Sequence, residues 1–290
     1  MKRWMIVLSA STLALALASC ASRAAVPPEA SPSISERPAD VSEALPSPSE
    51  QKEATGSDET ETASANPAPA EVPKRYNMNK NYDIVPIDPQ KTERKVVLLT
   101  FDDGPKSADT LDPILDSLDK HKAKAIFFVN GFRVQENPEL LKEIDKRGHA
   151  IGNHSWDHIK LGKEKPEVVR KQIGSVQEAV QNLTGKAPVF FRPPHASGSD
   201  VTRAVAKEYG LLYMTWSNGS LDWEMTGDDI KDKPQAIIDN VMSQLHAGSN
   251  ILMHELPWTA EGLDRLLTEL EKKGYGFVDP AAIALDDEGN

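Results

Sequence analysis

Two adjacent carboxylates, Asp102 and Asp103, follow the apolar run Val96 to Leu99 and precede Gly104-Pro105 and a segment of helical pattern. A buried strand that ends in two acids and a turn delivers them at its exit, where α/β proteins tend to carry their chemistry. Asp before Gly-Pro is also ordinary turn and helix-capping chemistry, since Asp accepts backbone N–H bonds and Gly supplies φ > 0. The pair therefore gains meaning only from what the rest of the chain brings to it.

A second run, Gly152-Asn153-His154-Ser155-Trp156-Asp157-His158, places two histidines four residues apart. On one face of a helical turn that spacing suits a single metal ion. A zinc peptidase of the gluzincin type would need Glu after the first His, and Ser155 stands there, so its general base is missing. Two histidines and a carboxylate make a catalytic metal site with open positions for water and substrate. Either Asp102 or Asp103 can supply that carboxylate, leaving the other beside the water.

Further along, Phe191-Arg192-Pro193-Pro194-His195 puts Arg192 at a strand exit, where it can pair with the non-ligating Asp and keep it ionised. The prolines stiffen the backbone and can aim the His195 N–H at a developing oxyanion. Trp216 and Trp223 offer apolar faces of the kind that stack on sugar rings. His254 ends the apolar run Ile251-Leu252-Met253 and is a general-acid candidate, because its pKa is readily tuned near neutrality. His121, His149 and His246 lie at helix ends or a strand start and are not counted as ligands.

The elements that must position these groups follow from the pattern. Strands are expected at 96–101, 123–130, 149–153, 189–192, 211–216, 250–254 and 276–278. Helices are expected at about 107–121, 137–147, 166–184, 199–209, 233–247 and 259–273, with Gly148, Gly185, Gly210, Gly248 and Gly274 as stops. Alternating strands and helices imply a parallel sheet. About 190 residues is short for a complete eight-fold barrel, so a distorted (β/α) barrel of about seven parallel strands is expected.

The chain opens with Lys2 and Arg3 and an apolar stretch from Trp4 to Ala18, the pattern of a secretory signal at residues 1–19. It ends Leu17-Ala18-Ser19-Cys20, similar to the lipobox of bacterial lipoproteins, in which the Cys carries the lipid. Cys20 is the only cysteine, so no disulfide can form within the chain. Residues 20–75 are rich in Ala, Pro, Ser and Glu and read as a disordered tether, leaving 76–290 as the folded domain. A formal net charge of -11 and no basic stripe argue against nucleic acid as a partner, and no protein partner is inferred.

Together these motifs resemble the polysaccharide deacetylase (NodB homology) family, family 4 of the carbohydrate esterases, over about residues 90–280. Thr100 to Pro105 resembles its first motif and His154-Ser155-Trp156-Asp157-His158 its H-[ST]-x-x-H motif. The resemblance implies Asp102 as general base, Asp103, His154 and His158 as metal ligands, and Arg192 as support for the base. It also implies His195 as the oxyanion donor, His254 as general acid, and a divalent metal ion, zinc first, with cobalt or another transition metal as alternative. Two departures stand out. His195 replaces a usual Tyr, and in the D-x-x-D-W motif Gly219 replaces the first Asp, which normally tunes the catalytic His. His254 is then expected to be poorly oriented or weakly basic unless Asn218, Glu255 or another carboxylate substitutes.

The implied activity is removal of N-acetyl groups from GlcNAc residues of a polysaccharide, whether peptidoglycan, a chitin-like chain or poly-GlcNAc. An O-acetyl esterase on the same site is the nearest alternative, and an inactive glycan-binding lipoprotein with a retained structural metal site is another. Signal and lipobox imply a lipid-anchored protein of the bacterial cell envelope, held to the membrane through Cys20.

Overall fold

The computed structural model describes residues 72–285. The expected leader at 1–19, Cys20, and all but the last four residues of the expected tether lie outside the described residues, as do 286–290. Lys74 and Arg75 are tied into the domain. Arg75 donates its N–H to the Ala282 carbonyl at 2.8 Å, and Lys74 Nζ reaches the Ala281 carbonyl at 2.9 Å.

Strand β1 (Tyr76–Met78) and strand β2 (Ile84–Pro86) form an antiparallel hairpin ahead of the first expected strand. Its turn is built by Asn79, whose Oδ1 accepts the N–H groups of Asn81 and Asp83. The main sheet follows, with β3 (Val96–Gly104), β4 (Ala125–Val129), β5 (Ala150–Asn153), β6 (Phe190–Phe191), β7 (Leu212–Tyr213), β8 (Asn218–Gly219), β9 (Ser249–His254) and β10 (Gly276–Phe277). All of its pairings are parallel. The strand order is β7-β6-β5-β4-β3-β9-β8, with β10 paired to the start of β3.

The intervening helices are α1 (Ala108–Lys120), α2 (Gly131–Glu136), α3 (Pro138–Lys146), α4 (Pro166–Thr184), α5 (Asp200–Glu208), α6 (Lys233–Gln244) and α7 (Pro257–Lys272). This is the distorted (β/α) barrel that the alternating pattern implied. Each of the seven expected strands is present. The eighth, β8, is a two-residue ladder whose Asn-Gly sequence reads as a turn, and six-residue α2 is too short to show a period. Trp216 consequently lies between β7 and β8 rather than at a strand end. Gly185 closes α4 at φ 77°, and Gly248 sits so close to the hairpin that an added Cβ would lie 2.2 Å from the Ile84 carbonyl oxygen.

The alternation of β3 explains why a site forms at all. Val97, Leu99 and Phe101 face the helices and join a core with Leu111, Ile114 and Leu118 of α1 and Leu263, Leu266 and Leu267 of α7. Val96 and Leu98 face the barrel interior and pack with Ile126, Phe128, Phe190 and Leu212. Fully burying each such side chain contributes about 1.5–3 kcal/mol. The same inward parity carries Thr100 and Asp102 to the interior, above that apolar floor. Next to it, β9 aligns Asp102 with His254.

Candidate metal and catalytic centre

Neighbouring strand residues normally point to opposite faces, so Asp102 and Asp103 should not share a site. The ladder shows how they do. Between β3 and β4, Asp102 pairs with Phe128 and Gly104 with Val129, leaving Asp103 as an extra residue in a β-bulge. Asp103 sits at φ 70°, in the left-handed region, and this local reversal turns its carboxylate back toward that of Asp102.

The two histidines arrive on a loop after β5, not on the helical turn that their spacing suggested. Ser155 at φ 65° and His158 at φ 55° break any helix there. Polar groups hold the loop instead. Asn130 Nδ2 donates to the His154 carbonyl at 2.8 Å, and Gln172 Oε1, from α4, accepts the N–H groups of Trp156 and Asp157 at 3.0 and 2.9 Å. His154 Nδ1 lies 2.7 Å from the Arg192 carbonyl, which can only accept, so Nδ1 carries the proton and Nε2 keeps its lone pair.

Asp103 Oδ1 lies 3.1 Å from His158 Nε2 and 3.6 Å from His154 Nε2. One donor atom from each of the three residues falls within 4.8 Å of the others. Asp103 Oδ1 is buried and has no hydrogen-bond partner, which is what a carboxylate prepared for a cation looks like. Burial alone would raise the Asp103 pKa, but the close approach of His158 and the neighbouring His154 and His254 imidazoles hold it well below the usual carboxylate range. Burial in turn lowers the His154 pKa against the pull of Asp102 and Asp103, favouring the neutral, ligating form. One carboxylate and two imidazoles suit a divalent transition metal, and these residues fit it.

Spacing alone left open which Asp would ligate, and the family resemblance implied Asp103. Asp102 is 3% exposed, and its Oδ1 is taken by Arg192 Nη1 at 2.7 Å. Arg192 is 0% exposed and also reaches Thr100 Oγ1 at 2.9 Å and the Thr215 carbonyl at 2.7 Å. A fully buried guanidinium with these partners fixes Asp102 and leaves its Oδ2 3.6 Å from His154 Nε2.

On the neighbouring strand stands His254, paired in register with Asp102, and another carboxylate does substitute for the missing one. Gly219 lacks the carboxylate that normally tunes the His, yet His254 does have one. Asp222, the second acid of the same motif, accepts the Nδ1–H of His254 at 2.8 Å. Asp222 is 0% exposed, and its Oδ2 accepts the His254 backbone N–H and the Thr259 hydroxyl, each at 2.7 Å. Trp258 Nε1 donates to the Asp222 carbonyl at 2.9 Å. Burial opposes the charged imidazole, but the Asp222 hydrogen bond and charge, reinforced by Asp102 and Asp103, outweigh it and raise the His254 pKa.

Asp102, Asp103, His154, His158, His195, Trp216, Trp223 and His254 all line one cleft of about 430 Å³. Trp223 meets His254 edge to face at 5.3 Å between ring centroids and Trp216 at 6.2 Å, forming an aromatic wall on that side. His195, at φ 56°, lies tilted against His158 on the other, with ring centroids 4.6 Å apart. Arg192 sits beneath the cleft, behind Asp102. The supporting roles of Asp222, Thr100 and Thr215 were missed in the sequence. Only the acid after Leu221 carried a usable signal, as the motif's second carboxylate.

Comparison with known proteins agrees with this arrangement. Residues 89–214 match the family model described as polysaccharide deacetylase. A peptidoglycan-N-acetylglucosamine deacetylase of Listeria monocytogenes is 40% identical over 195 residues, covering 67% of this chain and 40% of that protein. The chain thus spans well under half the length of that relative. A peptidoglycan-N-acetylmuramic acid deacetylase of Bacillus subtilis is 34% identical over 217 residues, covering 74% of this chain and 80% of that one. Among solved structures, a mutant of a CE4 family pseudoenzyme from Bacillus anthracis, with restored enzymatic activity, matches with a TM-score of 0.61 at 30% identity, covering 67% of this chain and 69% of its own. Fold and site together are those of a distorted (β/α) barrel with an Asp-His-His cluster at its strand exits. The chain belongs to the polysaccharide deacetylase family.

Proposed function

We propose that this protein hydrolyses the N-acetyl group of GlcNAc residues in peptidoglycan, releasing acetate and leaving glucosamine. One observation carries the reading: Arg192-held Asp102 and Asp222-held His254 line one cleft together with the Asp103, His154 and His158 group. When bound there, a divalent metal, zinc first, supplies Lewis-acid polarisation. Relatives named for peptidoglycan substrates support the choice of glycan.

In this mechanism Asp102 Oδ2, its other oxygen neutralised by Arg192, takes a proton from the attacking water. The water oxygen bonds to the acetamide carbon, and the His195 N–H donates to the oxyanion that forms. His254, with Nδ1–H committed to Asp222, offers its proton from Nε2 to the amide nitrogen as the C–N bond breaks. Asp102 is then protonated, His254 is neutral, and the products are acetic acid and a free amine, the acid passing its proton to solvent to leave as acetate. Trp216 and Trp223 form the wall against which a sugar ring stacks.

Both alternatives drew on an untuned His254, and the Asp222 hydrogen bond to it weighs against them. Residues 1–19 and Cys20 extend the proposal to a lipid-anchored protein of the bacterial cell envelope. The deciding experiment measures acetate release from peptidoglycan, GlcNAc oligomers and an O-acetylated glycan, with zinc and with chelator, for wild type and Asp102→Asn. Mass analysis of muramidase digests then identifies the deacetylated sugar. Zinc-dependent glucosamine formation that Asp102→Asn abolishes is the expected result. Release from the ester alone, or loss of acetyl groups from N-acetylmuramic acid alone, would overturn the assignment. Membrane fractionation of Cys20→Ser tests the anchor.

A further inference from the structure

The carboxylate immediately after His254 has no part in the reaction described above. Glu255 is 1% exposed, an expensive place for a carboxylate unless it is well partnered. Its Oε1 accepts the N–H groups of Lys106 at 2.9 Å and Ser107 at 3.0 Å and the Thr110 hydroxyl at 2.9 Å. Its own N–H reaches the Asp102 carbonyl at 3.4 Å. Its Oε2 has no hydrogen-bond partner and lies against Gly104, where an added Cβ would come within 2.6 Å. On the far side, Asn137 Nδ2 donates to the Pro105 and Lys106 carbonyls at 3.1 and 3.2 Å.

These bonds converge on the segment that follows the bulge. Ser107, the N-cap of α1, makes no capping bond from its own side chain, and Glu255, 148 residues further along, takes the N–H there. A local Ser or Asp could cap α1 without burying a charge. What a local cap could not do is tie the loop after Asp103 to the strand that carries His254. Asp103 needs such a tie, because a non-glycine residue in the left-handed region persists only where its surroundings fix it.

We propose that Glu255 is a positioning residue for the metal site. It holds Gly104 to Ser107 so that the bulge keeps the Asp103 carboxylate turned toward His154 and His158, and it couples that placement to β9 and His254. The inference rests on reading Asp103, His154 and His158 as metal ligands.

The test is metal binding by the protein without substrate. Zinc affinity is measured by competition with a chromophoric chelator, and the cobalt-loaded protein gives a visible spectrum of ligand geometry. Glu255→Ala is expected to weaken zinc about tenfold or more, the effect typical of losing a group that orients a ligand, and to change the cobalt spectrum. Glu255→Gln keeps an oxygen acceptor for Lys106 and Ser107 and is expected to stay within about threefold of wild type. A purely structural clamp would lower the melting temperature of metal-free Glu255→Ala and leave its zinc affinity and cobalt spectrum unchanged, which overturns the proposal. Should Glu255→Ala fail to fold, Thr110→Val removes one of the three donors. A measurable loss of zinc affinity then supports the proposal, and wild-type affinity overturns it. Wild-type protein that binds no zinc overturns the metal reading itself, an outcome distinct from the others.

Discussion

Asp222 accepts two hydrogen bonds from one residue, the Nδ1–H of His254 at 2.8 Å and its backbone N–H at 2.7 Å. Ring and backbone are both fixed, so the imidazole can neither flip nor swing away from the cleft. The carboxylate is itself held by Thr259, and nothing about it is open to solvent. This pairing sets how the protein should respond to pH.

A general acid works only while it holds its proton, so activity should fall as pH rises through the pKa of His254. Asp222 raises that pKa above the ordinary value for histidine. Asp222→Asn removes the charge, and the alkaline limb of the kcat profile is expected to move to lower pH. A loss of about 10²–10⁴ in kcat is expected at neutrality. An alkaline limb that stays in place would show that His254 is not the group titrating.

Gly219→Asp, designed to restore the missing motif residue, is expected to bring no gain in rate. A Cβ at Gly219 would stand 3.4 Å from Trp223 Cη2 and 3.6 Å from Trp216 Nε1, against the aromatic wall. The new carboxylate would disturb that wall, so KM should rise while kcat does not. Steady-state kinetics on a GlcNAc oligomer decide the matter, and a higher kcat at unchanged KM would contradict the geometry.

Adjacent acids should separate cleanly by assay. Asp103→Asn is expected to lose most zinc affinity, since its Oδ1 is the oxygen between the two imidazoles. Asp102→Asn is expected to keep zinc within a few-fold and to lose acetate release by about 10²-fold or more. Zinc titration and activity on the same preparations check both. Equal zinc loss in the two variants would mean that the acids share the ligand role.

Arg192 and Asp102 form a buried ion pair, and breaking one from a single side leaves an uncompensated charge. Arg192→Leu is therefore expected to destabilise the fold by about 3–5 kcal/mol in urea unfolding. The double variant with Asp102→Leu should recover much of that stability and none of the activity. A single variant within about 1 kcal/mol of wild type would mean that water reaches Asp102.

His149 offers a test far from the cleft. It is buried, with neither ring nitrogen bonded, and burial with the nearby Lys124 charge lowers its pKa to about 4. The folded protein thus holds His149 neutral at pH values where the unfolded chain binds a proton. Its contribution to stability is complete above the unfolded pKa of about 6.5 and is lost as pH falls toward 4. His149→Phe should flatten the acid limb of stability between those values. Unfolding midpoints from pH 7 to 4 that fall equally in both proteins would rule this out.

The architecture was legible because its signals are periodic. Apolar runs such as Val96 to Leu99 and Ile251 to Met253 are buried on both faces, and long helices such as α4 and α7 repeat their apolar residues with the helical period. Asp102, Asp103, His154, His158, Arg192 and His254 were singled out from residue type and spacing near strand exits, and all of them but Arg192 line the one cleft. Asp222 was set aside in favour of Gly219, because spacing along a chain does not say which of two motif carboxylates will meet a given imidazole. The loop carrying His154 and His158 was read as helical for a related reason. Four-residue spacing fits a helix, whereas left-handed Ser155 and His158 leave no composition signal. Two-residue strands and six-residue α2 lie below the length at which any period can be counted.

The extra residue in β3 also bears on transplanting this chemistry. Anyone grafting the site onto another barrel would copy the side chains first, and on a regular strand the second acid would land among the helices, buried and without a counter-charge. The unit to move is a frame shift of one residue together with the groups that pin it. Conversely, deleting a single residue at position 103 would restore an unbroken ladder and abolish the candidate cation site in one step, a cheap route by which such a domain becomes a silent scaffold.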